Sequence, residues 1–169
     1  GLFCIKKSDT IQYTKGNGLP SSEVYTFEID INDNPWVSIY QKGIYVFDGT
    51  KFNPISKKKE VTDKIVLSIA KDRKGNIYLG NKTEGLTIVT KDKTFSFKTE
   101  DGLLSNSIQS VVCDGNNVWV GSSLGLNKIT FSPQFKLIKV ETLNEKTGLL
   151  NSEIQQNALF LTEENVCIG

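Results

Sequence analysis

The chain has 169 residues, 38% hydrophobic and 23% charged, a composition that supports a packed core and excludes the disordered and fibrous classes. Lys and Arg number 20 against 19 Asp and Glu, so the formal charge of +1 supplies no field to attract nucleic acid or anionic lipid. No apolar run reaches the roughly 18 residues of a membrane helix, and the N-terminus lacks the order of a signal peptide, so membrane insertion by this segment is disfavoured along with nucleic-acid binding.

The first residues, GLFCI (1–5), read as an apolar strand, and IQYTK (11–15) as a second. A Gly-Leu link, GLPSSEV (18–24), leads into the alternating strand VYTFEID (24–30), the polar turn INDN, the aromatic strand PWVS (35–38), a loop ending in Gly, and the strands GIYVF (43–47) and KFNPI (51–55). The order then returns. KKKEVTDKI (57–65) is a degraded link, followed by IVLSIAK (65–71), the turn DRKGN, IYLG (77–80), GLTIV (85–89) and TFSFK (94–98). GLLSNSI (102–108) opens the next copy, IQSVVCD (108–114), DGNN, VWVG (118–121), GLNKI (125–129) and FKLIKVE (135–141). GLLNSEI (148–154), IQQNALFL (154–161), TEEN and VCIG (166–169) begin another.

The aromatic slot is Trp36, Tyr78, Trp119 and finally Cys167, at steps of 42, 41 and 48. In the links, Gly supplies a turn, Leu plugs between neighbouring sheets, and Ser or Asn caps backbone groups. No segment carries a helical period. The expected fold is all-β, a β-propeller of about four blades' worth of four-stranded antiparallel sheets. Residues 1–17 supply the third and fourth strands of a blade, 18–56, 57–100 and 101–146 are whole blades, and 147–169 supply the first two strands of another. Burying each ring of Trp36, Tyr78 and Trp119 between adjacent sheets is worth about 2–3 kcal/mol, which explains them structurally. The two half-blades leave two arrangements: a closed four-bladed ring, or, preferred, an arc of a larger propeller whose neighbours cover the end strands. The start without Met and the finish inside an apolar strand suggest a piece of a longer protein.

With its Gly-Leu link, strand ending in Asp, Gly/Asn turn, Trp-Val-Gly-Ser and second Gly-Leu, DGLLSNSIQSVVCDGNNVWVGSSLGLNKI (101–129) is similar to the two-component-regulator propeller repeat. The likeness runs over essentially the whole chain. The second copy lacks the Gly-Leu link, and the last replaces the ring with Cys167. The resemblance implies a segment of a seven-bladed periplasmic sensor propeller, the extracytoplasmic part of an inner-membrane hybrid two-component histidine kinase of the Bacteroidetes type. It further implies recognition of a glycan fragment or support of a homodimer. The kinase would lie outside the segment, which contains no His. A propeller scaffold in surface assembly or secretion and a propeller lyase or hydrolase are the two other readings the repeat leaves open.

Loops joining second to third strands share a face with the links between blades, and such loops carry binding sites. Tyr40 and Gln41 in SIYQKG (38–43), and Lys82 and Glu84 in GNKTEG (80–85), are the ligand-binding candidates. Tyr40 could stack on a sugar ring, while Gln41 and Lys82 could donate to hydroxyls, a carboxylate or a sulfate. The turns DINDN (30–34) and DRKGN (72–76) cluster oxygen atoms but lack the spacing and terminal Glu of a calcium loop, so they are read as hairpin turns and no metal site is expected. With no His and no Gly-x-Ser-x-Gly elbow there is no catalytic set, and no cofactor is implied. Cys4, Cys113 and Cys167, odd in number and widely spaced, are expected as small core residues. Closure of the ends would make Cys4 and Cys167 cross-strand neighbours within disulfide reach.

Overall fold

The computed structural model describes residues 1–5, 10–55, 65–163 and 165–169. The expected link at 57–65, with its charged run KKKE, lies outside these except for Ile65. The described residues form strands and two single-turn 3₁₀ helices, Thr99–Asp101 and Glu145–Thr147. The chain divides into two compact units, Gly1–Val66 and Leu67–Gly169.

In the first unit, β1 (Leu2–Ile5) and β2 (Thr10–Tyr13) make a two-stranded antiparallel sheet. Next come β3 (Val24–Ile29), β4 (Pro35–Ile39), β5 (Gly43–Phe47) and β6 (Phe52–Pro54), an antiparallel sheet in chain order. Each strand turning directly onto the next is the blade pattern of a propeller. The core here gathers Leu2, Leu19, Val37, Ile39 and Phe52, so the Gly-Leu link does place Leu19 between two sheets. Tyr13 closes it, its ring 5.2 Å from Phe47 and 5.3 Å from Phe52.

β7 (Val66–Lys71), β8 (Ile77–Asn81), β9 (Leu86–Val89) and β10 (Thr94–Phe97) form the second four-stranded sheet. β11 (Ser110–Asp114), β12 (Asn117–Ser122), β13 (Gly125–Phe131) and β14 (Leu137–Leu143) form the third, and β15 (Leu159–Leu161) with β16 (Val166–Ile168) ends the chain. The all-β fold of four-stranded antiparallel blades is therefore as expected. The core between the second and third sheets is aromatic and aliphatic: Tyr78, Leu86, Ile88 and Phe97 meet Val118, Val120, Ile129 and Phe131, with Phe97 and Phe131 4.7 Å apart.

The repeat has a close-packing reason at one glycine. A Cβ on Gly121 would sit 2.5 Å from Ile154 Cγ2, and one on Gly80 would sit 2.8 Å from Ile108 Cγ2. The Gly after the aromatic strand thus makes room for the Ile that opens the next blade. Backbone bonds fix the same junction: Ile108 N donates to Asn81 O at 2.8 Å and Ile154 N to Ser122 O at 2.9 Å. In the first unit Ser38 replaces the Gly, is fully buried, and donates its hydroxyl to Val66 O at 2.6 Å.

The innermost strands start later than their apolar pattern suggests. The run 154–161 becomes β15 only at Leu159, because Asn157 adopts a left-handed φ of 55° and donates to Gln109 O at 3.0 Å. The run 108–114 becomes β11 at Ser110, since Ile108 and Gln109 bond to the preceding sheet and to Gly121 O respectively. Ile108 and Asn157 thus serve the junction with the preceding repeat rather than the ladder of their own sheet.

The expectation that the cysteines are core residues is corrected for two of them. All three are free thiols, but only Cys113 is partly buried, against the second-unit core. Cys4 and Cys167 are exposed, each on a two-stranded sheet.

Candidate functional site

Turn chemistry at one end of the hairpins is used up internally. Asp30 Oδ1 accepts from the N–H groups of Asn32 and Asn34 at 2.8 and 3.0 Å, while Oδ2 accepts from Trp36 Nε1 at 3.1 Å. Asp72 repeats the device: Oδ1 accepts from Lys74 and Asn76 at 2.8 and 2.9 Å, and Oδ2 accepts from the Tyr78 hydroxyl at 3.0 Å. Both carboxylates thus staple a hairpin turn to the ring that follows six residues later. Burial pushes Asp30 up, but the bonds from Asn34, Trp36 and Asn32 outweigh it and hold the carboxyl below its ordinary 3.8. Burial first, then the neighbouring Cys113 and the Asp72 carboxylate, push the Tyr78 phenol far above its usual range, so it remains a donor.

The third blade departs from this. Its turn is one residue shorter, with Asp114 five positions before Trp119, and the buried Trp119 Nε1 has no partner among the described residues. Lys128 lies over the indole, 5.1 Å from the centroid. Of the three rings expected between sheets, Tyr78 is 3% exposed, whereas Trp36 and Trp119 are half-buried. The staple was missed in the sequence, although its signal is legible as Asp-x-x-x-Asn-x-Trp/Tyr at 30–36 and 72–78.

At the other end of the hairpins lie the loops expected to bind a ligand. In the first unit, Tyr40 N donates to Glu23 O at 3.0 Å, tying the β4–β5 connection to the link before β3. The tip is tight: Gln41 is exposed with φ of 55°, and Lys42 N donates to Ile39 O at 3.0 Å. Beside it the β3–β4 register shifts between Val24 and Thr26, a bulge at Tyr25. Tyr25 is 41% exposed, with its ring 5.1 Å from Tyr40 and tilted 39°. Two tyrosines therefore form a partly exposed aromatic step next to Gln41, and only Tyr40 was singled out in the sequence. The signal for Tyr25 is a bulge, which alternation alone does not reveal.

In the second unit, the β8–β9 connection carries Lys82 and Glu84, both exposed. Gly85 N donates to Asn106 O at 2.9 Å, and Asn106 Oδ1 accepts from Thr99 N at 2.9 Å, so this connection and the link at 105–107 are bonded side by side. Glu84 Oε2 pairs with Lys98 Nζ, and that bond raises the lysine's pKa. The pair is solvent-exposed and contributes little to stability. It does hold the Glu84 carboxylate close to Lys98.

No protein-family model matches the chain, and no curated protein matches it. Solved structures do. The extracellular domain of a protein described as a hybrid two-component system, BT3049 from B. thetaiotaomicron, is similar at a TM-score of 0.77 and 16% identity, over 93% of this chain and 22% of that one. The extracellular domain of BT4673 from the same organism, described as a one-component system, is similar at a TM-score of 0.69 and 22% identity, over 94% and 21%. A second structure of BT4673, described as a hybrid two-component system, matches at 0.62 and 23% identity, over 82% and 18%. This chain has the fold of those extracellular domains and spans about a fifth of their length.

Proposed function

We propose that the chain is an arc of an extracytoplasmic sensor propeller from a two-component signalling protein, and that it recognises an oligosaccharide without turning it over. The observation that carries this reading is the fold likeness to extracellular domains of two-component systems over nearly the whole chain. It agrees with the repeat resemblance at 101–129 and with a periplasmic position on an inner-membrane protein whose kinase lies elsewhere. The Tyr25–Tyr40 step supplies flat apolar surface for a sugar ring, Gln41 supplies an amide to pair with hydroxyls, and Lys82 with Glu84 offers a second polar loop.

Thermal shift with a panel of neutral, uronic-acid and sulfated oligosaccharides tests it. At least one class raises Tm in the native chain, and Tyr40→Ala abolishes that rise while leaving the unliganded Tm nearly unchanged, because Tyr40 lies in a surface connection. A panel without any shift sinks the glycan reading, and release of cleaved sugar replaces it with the lyase or hydrolase alternative.

A further inference from the structure

We propose that two copies of the chain pair edge to edge through β14, antiparallel, with Val140 on the two-fold axis. β14 is the fourth strand of a complete four-stranded sheet, and it pairs with β13 and with no other strand among the described residues. Sheets of a propeller stack on their faces, so neighbouring blades leave an outer edge of this kind open. The other two fourth strands are poor templates for a further strand. β6 runs for three residues and ends in Pro54, and β10 runs for four. Short edges and Pro are devices that discourage another chain from adding. β14 runs for seven residues, Leu137–Leu143, and contains no Pro.

Its sequence, LIKVETL, selects the occupant. Laid against itself in the reverse direction about Val140, it sets Lys139 opposite the partner's Glu141 and Glu141 opposite the partner's Lys139. Leu137 then meets the partner's Leu143, and Ile138 meets the partner's Thr142. Other registers lose the match. Centring the pair on Lys139 or on Glu141 brings identical charges together, as does in-register parallel pairing, and like charges directly opposite are destabilising. Charges of one sign would guard this edge against its own copy, whereas Lys139 and Glu141 complement it.

Within one chain Lys139 Nζ already lies 2.8 Å from Glu141 Oε1, and both side chains are partly open to solvent. Pairing joins two such couples into a ring of four alternating charges. Ile138 is skipped where the ladder to β13 shifts, and it is 64% exposed. The added strand gives it a neighbour that its own sheet does not. This is isologous strand addition, in which main-chain bonds supply affinity and the side-chain order supplies register.

Sedimentation velocity on the native chain and its charge variants tests this. The native chain should dimerise as concentration rises. Lys139→Glu, which sets carboxylates opposite one another at both cross-strand pairs, should weaken the dimer by about tenfold or more. Lys139 is 62% exposed and stands opposite Thr130 in its own sheet, so the fold survives and circular dichroism is unchanged. Glu141→Lys should weaken the dimer likewise, and an equimolar mixture of the two variants should restore it, because each then meets opposite charges on the other. Glu141 stands opposite Lys128 within its sheet, so Lys139→Glu alone decides if the second variant misfolds. A native chain that stays monomeric at every concentration overturns the proposal and leaves the edge to an extended segment of another protein. Lys139→Glu that associates as the native chain does, or a mixture of two folded variants that stays monomeric, overturns it equally.

Discussion

Replacing Gly121 by Ala probes the junction that repeats along the chain. The new methyl would sit 2.5 Å from Ile154 Cγ2, 3.0 Å from its Cβ and 3.4 Å from its Cγ1. Carbon atoms pack at about 3.5–4.0 Å, so the nearest contact is short by roughly an ångström. Ile154 cannot easily retreat: it is 2% exposed, packs with Leu126 and Leu159, and is held by its N–H bond to Ser122 O. Overpacking of this kind costs about 1–3 kcal/mol, offset by roughly 0.4–1 kcal/mol because Ala restricts the unfolded chain more than Gly. A net loss of about 1–2 kcal/mol follows, and Gly80→Ala should lose less, since its nearest contact is 2.8 Å. Urea unfolding followed by tryptophan fluorescence in a Trp36→Phe background lets Trp119 alone report on the third blade. Ile154→Ala by itself removes buried apolar atoms and costs about 2–5 kcal/mol, but it also removes the clashing Cγ2. The double variant should therefore be more stable than the sum of the two losses predicts by about 1 kcal/mol. Additivity within about 0.5 kcal/mol, or a neutral Gly121→Ala, would refute the packing argument.

Three further outcomes are expected. Tyr78→Phe gives up a bond to the Asp72 carboxylate and should cost about 1.5–3 kcal/mol in chemical denaturation, the range for bonds to charged groups. Trp36→Phe should lower stability more than Trp119→Phe by about 1 kcal/mol, as followed by circular dichroism, because only Trp36 donates to an Asp. Asp30 and Asp48 both titrate below the ordinary 3.8, Asp48 chiefly through bonds from the Thr50 hydroxyl and the Lys51 and Thr50 amides. Their stabilisation is complete above that value and is lost as pH falls through the depressed folded values. Melting scans from pH 5 downward should thus show a decline beginning below about pH 4, and Asp30→Asn with Asp48→Asn should flatten it.

Much of the fold was legible because each blade repeats one chemistry at one spacing. Alternating Val, Ile and Phe mark the strands, and Asp-Asn-Gly turns mark the hairpins. Gly102 and Gly148 take left-handed φ values of 104° and 118° at the links, as the sequence pattern anticipates. What escaped detection depends on contacts between copies. Asn157 and Ile108 sit in apolar runs that look like strand, yet their amides bond to the preceding repeat, at Gln109 O and Asn81 O. Cys4 and Cys167 are exposed on two-stranded sheets, and burial there is decided by packing between sheets, which composition does not encode. At the candidate site, Tyr40 is legible from its loop position, while Tyr25 becomes visible only once the bulge turns it outward. The pairing of Glu84 with Lys98 spans fourteen positions and has no local signature.

Hydroxyls on the innermost strands carry the junction further: Ser68 Oγ accepts from Val111 N at 3.1 Å, and Ser110 Oγ from Leu159 N at 3.0 Å. Together with the Asn81–Ile108 and Ser122–Ile154 amide bonds, these rungs tie the opening segment of each sheet to the sheet before it. Lengthening, shortening or splicing such a protein by one sheet consequently alters the backbone bonding of the neighbouring sheet as well as the apolar core between them. A graft that replaces one sheet must therefore supply acceptors for at least two amides at the seam behind it, as Asn81 and Ser68 do for Ile108 and Val111, and as Ser122 and Ser110 do for Ile154 and Leu159.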